Sequence, residues 1–251
     1  MIRIEDFFFD KNRVDGITEA DYERARPYVE VARAFAHITY QSIYVIDYFR
    51  KNFLYVSDNP IFLCGHTAEE VLDMGYGFYL NNVPAEELPM LTELNRAGFA
   101  AFEETPKQDR QRCVMSYDFH IMTGGRRLLI NHKITPLVLL DDGRVWLAVC
   151  TVSLSSHKDA GHIELRLYGQ SGLREYSLDS HRWHQREKIT LKPEERTVLS
   201  LAAQGYTIKE IADRLCRGVD TVKFHRRNLF DKLGTDNITG AVAFATNYGL
   251  L

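Results

Sequence analysis

The last 63 residues of the chain are cut by Gly205, Gly218 and Gly234 into four short stretches whose apolar residues recur at helical spacing. In the first, Pro193 to Ala203, the apolar positions are Val198, Leu199 and Ala202, and Gly205 supplies the stop. The second starts at Thr207-Ile208-Lys209-Glu210. There the threonine hydroxyl can accept from a free helix-end amide while Glu210 reaches back, a capping box. Ile211, Ala212 and Leu215 form its inward side. Gly218 closes a short turn, and a third helix runs from about Val219 to Leu233. A fourth, from about Ile238 to Asn247, carries Ala241, Val242 and Ala245 at helical spacing. The expected result is a small all-α unit of four helices over residues 189–251.

Two short helices joined by a tight turn, the second bearing exposed cations, is the arrangement that sets a helix into the major groove of duplex DNA. At about 100° per residue, Val222, Leu229 and Leu233 of the third helix share one narrow face that must point inward. The opposite face carries Asp220, Lys223, Phe224, Arg227 and Asp231, with Thr221 and Asn228 on its flank. Lys223 and Arg227 are four residues apart and project together. Arg226 lies nearer the core edge, where its stem can cover apolar surface. Charge alone does not separate this from an ordinary solvated face. Residues 189–251 hold nine Lys or Arg against seven Asp or Glu, less basic than most DNA-binding domains. Phe224 is either a buried aromatic or a thymine-methyl contact, and the wheel opposes burial. His225 is either structural or a phosphate donor.

The same residues resemble the LuxR-type (GerE) helix-turn-helix family over 190–242. The family pattern is Lys-Glu-Ile-Ala followed by Thr-Val-Lys-x-His. Here Lys209-Glu210-Ile211-Ala212 is followed by Thr221-Val222-Lys223-Phe224-His225, then by Asn228-Leu229-Phe230-Asp231-Lys232-Leu233-Gly234. The resemblance implies that the helix at 219–233 reads bases. It sets Lys223, Phe224 and Arg227 at base edges, and Thr207, Lys209, Thr221 and His225 near backbone phosphates. It also implies a homodimer on double-stranded DNA, with the helix at 238–247 offering a dimer contact. Three departures stand out: Gly218 in place of a capping Ser, Arg217 in place of an aliphatic residue, and Ile238 in place of an Arg. Gly in place of Ser costs only a few tenths of a kcal/mol at an N-cap.

The remaining residues, 1–188, are a different material. They carry five more acids than bases, within a chain of 31 basic and 34 acidic side chains. At 251 residues and 45% hydrophobic, the chain is too apolar for wholesale disorder and long enough for two domains. A first helix is predicted from Thr18, whose Thr18-Glu19-Ala20-Asp21 makes a capping box. Pro27 is expected to kink or delay it. Such a helix covers its own domain or pairs with a second chain. From Gln41 the pattern becomes β: Ile43 to Tyr48, Phe53 to Val56, Val114 to Thr123, Arg126 to Leu140 and Arg144 to Leu154. Between them, Thr67 caps a helix start and Pro84 to Phe102 reads as helical. Gly124-Gly125 and Asp141-Asp142-Gly143 are turns. The chain as a whole is thus read as α+β, an antiparallel sheet with flanking helices followed by the helical unit.

Over about 41–154 this order resembles a PAS sensory domain. The residues concerned are Tyr55-Val56-Ser57-Asp58-Asn59, Gly65-x-Thr67-x-Glu69-Glu70-Val71, Val83-Pro84-Ala85-Glu86 and the three-strand meander. The expected domains are therefore a PAS-like module over 1–154, a partly structured connector over 155–188, and the DNA-binding module over 189–251. In the connector, His162 to Leu167 and Leu173 to Leu178 alternate, with Gln170-Ser171-Gly172 as a hairpin turn, a pattern that could extend the preceding domain. The module would bind a small molecule, mediate dimerisation or contact another protein.

No cofactor is expected. Flavin photoreceptors of the PAS class carry Asn-Cys-Arg-Phe-Leu-Gln. Asn59-Pro60-Ile61-Phe62-Leu63-Cys64 has proline at the reactive position, and Cys64 reads as a small apolar residue. His120 and His132 are haem ligands by residue type only, and each reads as a strand-surface histidine. His181-Arg182-Trp183-His184 has a metal-like spacing without a second pair, and a connector turn explains it better. The four cysteines form no Cys-x-x-Cys pair, which argues against a zinc ribbon or a disulfide framework. There is no Gly-x-Ser-x-Gly, Walker loop, His-Glu-x-x-His or receiver-type acidic cluster. The alternative of an enzyme with a DNA-binding tail needs a pocket of converging Asp, Glu or His. No apolar run approaches the ~18 residues of a membrane span, and the opening residues lack a signal pattern, so the expected location is cytoplasmic.

Overall fold

Ser42–Asp47 is buried at every position, so this strand, β1, must lie inside a sheet with both faces covered. It pairs antiparallel with β2 (Asn52–Val56) on one side and β5 (Val145–Leu154) on the other. The structure, a computed structural model, describes residues 2–170, 172–187 and 189–251. In it, β3 (Cys113–Thr123), β4 (Arg126–Leu139) and β5 form the meander expected from the two turns. The three strands β6 (Gly161–Leu167), β7 (Gly172–Ser177) and β8 (Arg182–Glu187) complete one sheet in the order β2-β1-β5-β4-β3-β6-β7-β8. The segment set apart above as a connector thus supplies three strands. Its predicted hairpin turn includes Ser171, which lies outside the described residues, as does Lys188 at the expected domain boundary.

Alternation along β1 divides the neighbouring side chains between two faces. Tyr44 and Ile46 point to the side holding α2 (Pro60–Leu63), α3 (Ala68–Met74), α4 (Gly77–Asn82) and α5 (Leu88–Glu104). There Tyr44 stacks on Phe62 at 4.5 Å, and Phe53, Phe78, Tyr79 and Phe119 close the cluster. Its polar atoms are paired internally: the Tyr44 hydroxyl lies 2.5 Å from both the Tyr79 hydroxyl and His132 Nε2. The N-terminal segment adds Phe7, stacked on Tyr79, and the Asn12 side chain, which bonds the backbone of Val145 in both directions. Gly98 of α5 sits so close to β3 that a Cβ would meet Met115 Sδ at 2.5 Å, so a larger residue here would require the Met115 side chain to move.

Asp47 and Tyr55 point the other way, onto α1 (Glu19–Ile38). Tyr22 donates its hydroxyl hydrogen to the Asp47 carboxylate, and the Arg33 guanidinium stands 4.9 Å over the Tyr55 ring. Thr18 and Asp21 make the predicted capping box. Pro27 neither delays nor ends the helix. It and Glu23, whose carbonyl loses its helical donor, are both exposed, so water can take that carbonyl. The helical reading of Pro84 to Phe102 also needs correction. Pro84 to Glu87 is a turn, closed by Glu87 N donating to Pro84 O, and α5 starts at Leu88. A last short helix, α6 (Lys107–Arg110), precedes β3.

A second unit, Glu187–Leu251 together with Ser155–His157, has its own core. It contains α7 (Pro193–Ala203), α8 (Ile208–Arg214), α9 (Val219–Leu233) and α10 (Ile238–Tyr248), close to the four helices predicted. Val198, Leu199, Ile211, Ala212, Val222, Leu229, Leu233, Ala241, Phe244 and Ala245 are buried together. No helix among the described residues is long and apolar enough to cross a membrane.

Candidate nucleic-acid interface

Each helix boundary in the second unit is set by a local hydrogen-bond device. After α7, Gly205 takes the left-handed conformation at φ +90°. Its N–H reaches Ala202 O while Tyr206 N reaches Leu201 O, which occupies two carbonyls the helix end leaves open. The same motif ends α8: Cys216 N donates to Asp213 O and Arg217 N to Ala212 O. Here the left-handed residue is Cys216 at φ +49°, not a glycine. Gly218 then enters α9 with extended backbone and no side-chain cap.

Glu195 ties α7 to α9. Its carboxylate, 1% exposed, accepts from Lys192 N at 2.9 Å and from Lys232 Nζ at 2.7 Å. Burial pushes this carboxyl up, but the Lys232 ammonium and the Lys192 amide outweigh that and hold it below the usual carboxylate range. Neither partner stood out in the sequence, because residues 37 apart give no periodic signal.

Anchored this way, α9 buries Val222, Leu229 and Leu233, the three residues the wheel assigned to the core. Lys223, Phe224 and Arg227 are exposed on the face away from them, with Phe224 60% exposed. Arg227 has no hydrogen-bond or ion-pair partner among the described residues, and Lys223 Nζ rests 3.2 Å from the Asp220 carboxylate, an exposed and weak pair. Thr221 is exposed on the first turn of α9. His225 is half-buried, its ring 5.6 Å from that of Phe224. Arg226 lays its guanidinium 5.5 Å over Phe230, as its place near the core edge implies. On α8, Lys209 is exposed and unpaired among the described residues. The Thr207 hydroxyl, however, is engaged: it accepts from Glu210 N and donates to the Glu210 carboxylate at 2.8 Å. The Thr207 amide and hydroxyl together hold the Glu210 carboxyl below its usual range.

The chemistry of this face is recognition. A free guanidinium is a fork of donors that matches guanine O6 and N7, an exposed ring fits a thymine methyl, and ammonium groups neutralise phosphate.

The first unit places some of the remaining candidates differently from expectation. His132 is 1% exposed, not a surface residue, because its position in β4 turns it toward Tyr44 and Tyr117. Burial lowers its pKa to about 3, so it stays neutral. His120 is half-buried, with Nδ1 2.6 Å from Glu87 Oε1. Cys64 caps α2, and burial pushes its thiol up to about 12, outside the range of a reactive thiolate. His181 ends the turn before β8, as the connector-turn reading expects, at φ +53°, while His184 lies within the strand. His181 Nδ1 lies 2.6 Å from Glu93 Oε1, and His184 Nε2 lies 3.1 Å from Ser180 Oγ. Strand pairing takes up a segment whose alternation was too short to detect.

Residues 190–245 match the family described as bacterial regulatory proteins, luxR family. Over 66 residues the chain is 32% identical to the transcriptional activator protein BglJ of Escherichia coli, covering 26% of this chain and 29% of that one. Over 56 residues it is 45% identical to the DNA-binding transcriptional activator DevR/DosR of Mycobacterium tuberculosis, covering 22% and 26%. The chain therefore spans less than a third of the length of these curated relatives. A VqmA–ligand–DNA complex from Vibrio cholerae aligns over 88% of this chain and 89% of that one, at 15% identity and a TM-score of 0.33, too low to bear on function. The C-terminal unit carries a LuxR-type (GerE) helix-turn-helix domain.

Proposed function

We propose that the chain is a sequence-specific, DNA-binding transcriptional regulator, acting in the cytoplasm as a homodimer and not as an enzyme. The observation that carries this is α9: three buried side chains hold it from behind while Lys223, Phe224 and Arg227 stand exposed in front. In this reading those three meet base edges. Lys209, Thr221 and His225 lie at phosphates, and Thr207 joins them through its backbone or by exchanging its hydroxyl bond to Glu210. Two copies would set two such helices about 34 Å apart on successive major grooves.

The first unit serves as a PAS-like sensory or interaction module. Its support is the strand order β2-β1-β5-β4-β3, with the helices inserted between β2 and β3. Beside α5 an open cleft of about 550 Å³, lined by Glu93, Glu104, Tyr176, His181 and Trp183, is of a size to take a small molecule. The smaller cavity between α5 and the central strands measures about 60 Å³, against ~300 Å³ or more for a small-molecule site. Its lining, including Gly98, Phe99, Met115, Pro136 and Leu165, holds no carboxylate or imidazole for acid–base chemistry.

Selection of bound fragments from a genomic library, followed by titration of the full chain on selected and scrambled duplexes, tests the assignment. Arg227→Ala is expected to relax sequence preference by ~1–3 kcal/mol at one base pair. Lys209→Ala is expected to weaken binding to all duplexes and to reduce the salt slope by roughly 0.9. Equal losses on every duplex from both variants would contradict the assigned roles.

A further inference from the structure

Helix α1 carries two apolar stripes. Ala25 and Ala32 are buried against its own domain, and Val29 and Ala36 pack beside them. About 110° around the axis, Tyr28, Val31, Phe35 and Ile38 are 51, 57, 54 and 75% exposed. Their spacing of three, four and three residues is that of alternating a and d positions in a heptad, the repeat that lets two helices lie together along a continuous seam. The charged side of the helix needs no partner, because Arg26 pairs with Glu23 at 3.2 Å and Arg33 with Glu30 at 3.5 Å.

The strip is large for a free surface. Aromatic side chains carry ~150–250 Å² each, so these four residues, with the almost fully exposed Tyr40 just past the helix end, leave on the order of 500 Å² of apolar area. That is near the upper end for a monomer patch. Two such strips laid together bury ~1,000 Å², the threshold of a specific interface.

We propose that a second copy of the chain docks on this strip. The two α1 helices pack antiparallel about a two-fold axis passing between Val31 and Phe35. In that order a positions meet d positions, so Tyr28 faces Ile38 of the second copy and Val31 faces its Phe35. Every layer then pairs a ring with a smaller branched side chain, and layer volumes stay even. Parallel pairing would stack ring on ring and Val31 on its own counterpart. It would also oppose Arg24, one heptad before Val31, to the same guanidinium in the second copy. Antiparallel pairing moves Arg24 beyond the end of the second α1, where Tyr40 offers a ring face.

The proposal rests on the reading that two copies act together, and its test separates the two. Analytical ultracentrifugation of the full chain without DNA should show a dimer. Val31→Glu/Phe35→Glu should raise its dissociation constant at least ~30-fold with an unchanged circular dichroism spectrum. A variant that stays dimeric overturns the assignment to α1 and leaves the two-copy reading standing. A wild type that is monomeric when free overturns the proposal, and if it also binds DNA as a monomer the two-copy reading falls with it. Orientation is read independently of any folding defect in the charged variant. In a Cys64→Ser/Cys216→Ser background, Tyr28→Cys/Ile38→Cys should form disulfide dimers and Tyr28→Cys alone should not. Crosslinking by the single variant overturns the antiparallel order.

Discussion

His132 shows how one buried side chain sets the response of the first unit to acid. It is neutral in the folded chain, with a pKa lowered to about 3 by burial, and Tyr44 occupies its Nε2. An unfolded histidine titrates near 6.5. Above that value neither state binds the proton and the residue is neutral in its effect. Between about 6.5 and 3 the unfolded chain binds a proton that the folded one excludes, so stability falls as pH falls, by up to about 1.4 kcal/mol per pH unit. Urea unfolding of the first unit at several pH values should show this slope in the wild type. His132→Gln should flatten it below pH 6.5 even though it lowers stability throughout. Parallel slopes would place the titrating group elsewhere. The tyrosine cluster that encloses His132 explains why alternation alone misplaced it: β4 is covered on this face at its centre, so a polar residue there is inward by position and not by type.

The element that decides function is the turn between α8 and α9, because it fixes how the two helices meet. It closes through a left-handed residue, and that residue is Cys216, which has a Cβ to accommodate. The left-handed conformation costs a residue with a side chain roughly 1–2 kcal/mol, while glycine adopts it freely at the expense of greater freedom when unfolded. Cys216→Gly should therefore stabilise the second unit by about 0.5–1 kcal/mol without altering α9. Cys216→Val, branched at Cβ, should destabilise it. Chemical denaturation followed by circular dichroism reads both, and a destabilising glycine would show that the thiol has a contact of its own. The cap of α8 was readable because Thr207 and Glu210 are a local signal. Cys216 was not, because nothing in its type announces a left-handed position.

At the scale of the molecule, the chain holds two separate apolar cores, one built on the eight-stranded sheet and one inside the four helices. Calorimetry should accordingly resolve two transitions. Leu229→Ala, which empties the second core, should lower one of them by ~2–5 kcal/mol and leave the other in place. A single transition shifted as a whole would mean that the two cores unfold together. The helical unit, the capping boxes, the meander and the exposed cations of α9 were all legible from residue order, since each depends on partners within a few positions or on one repeating period. What residue order did not contain was the joining of β6, β7 and β8 to β3, the burial of His132, the Glu195–Lys232 pair and the exposed second stripe of α1. Those depend on which distant segments arrive at a surface, and only packing decides whether an apolar side chain is covered by its own chain or left for another.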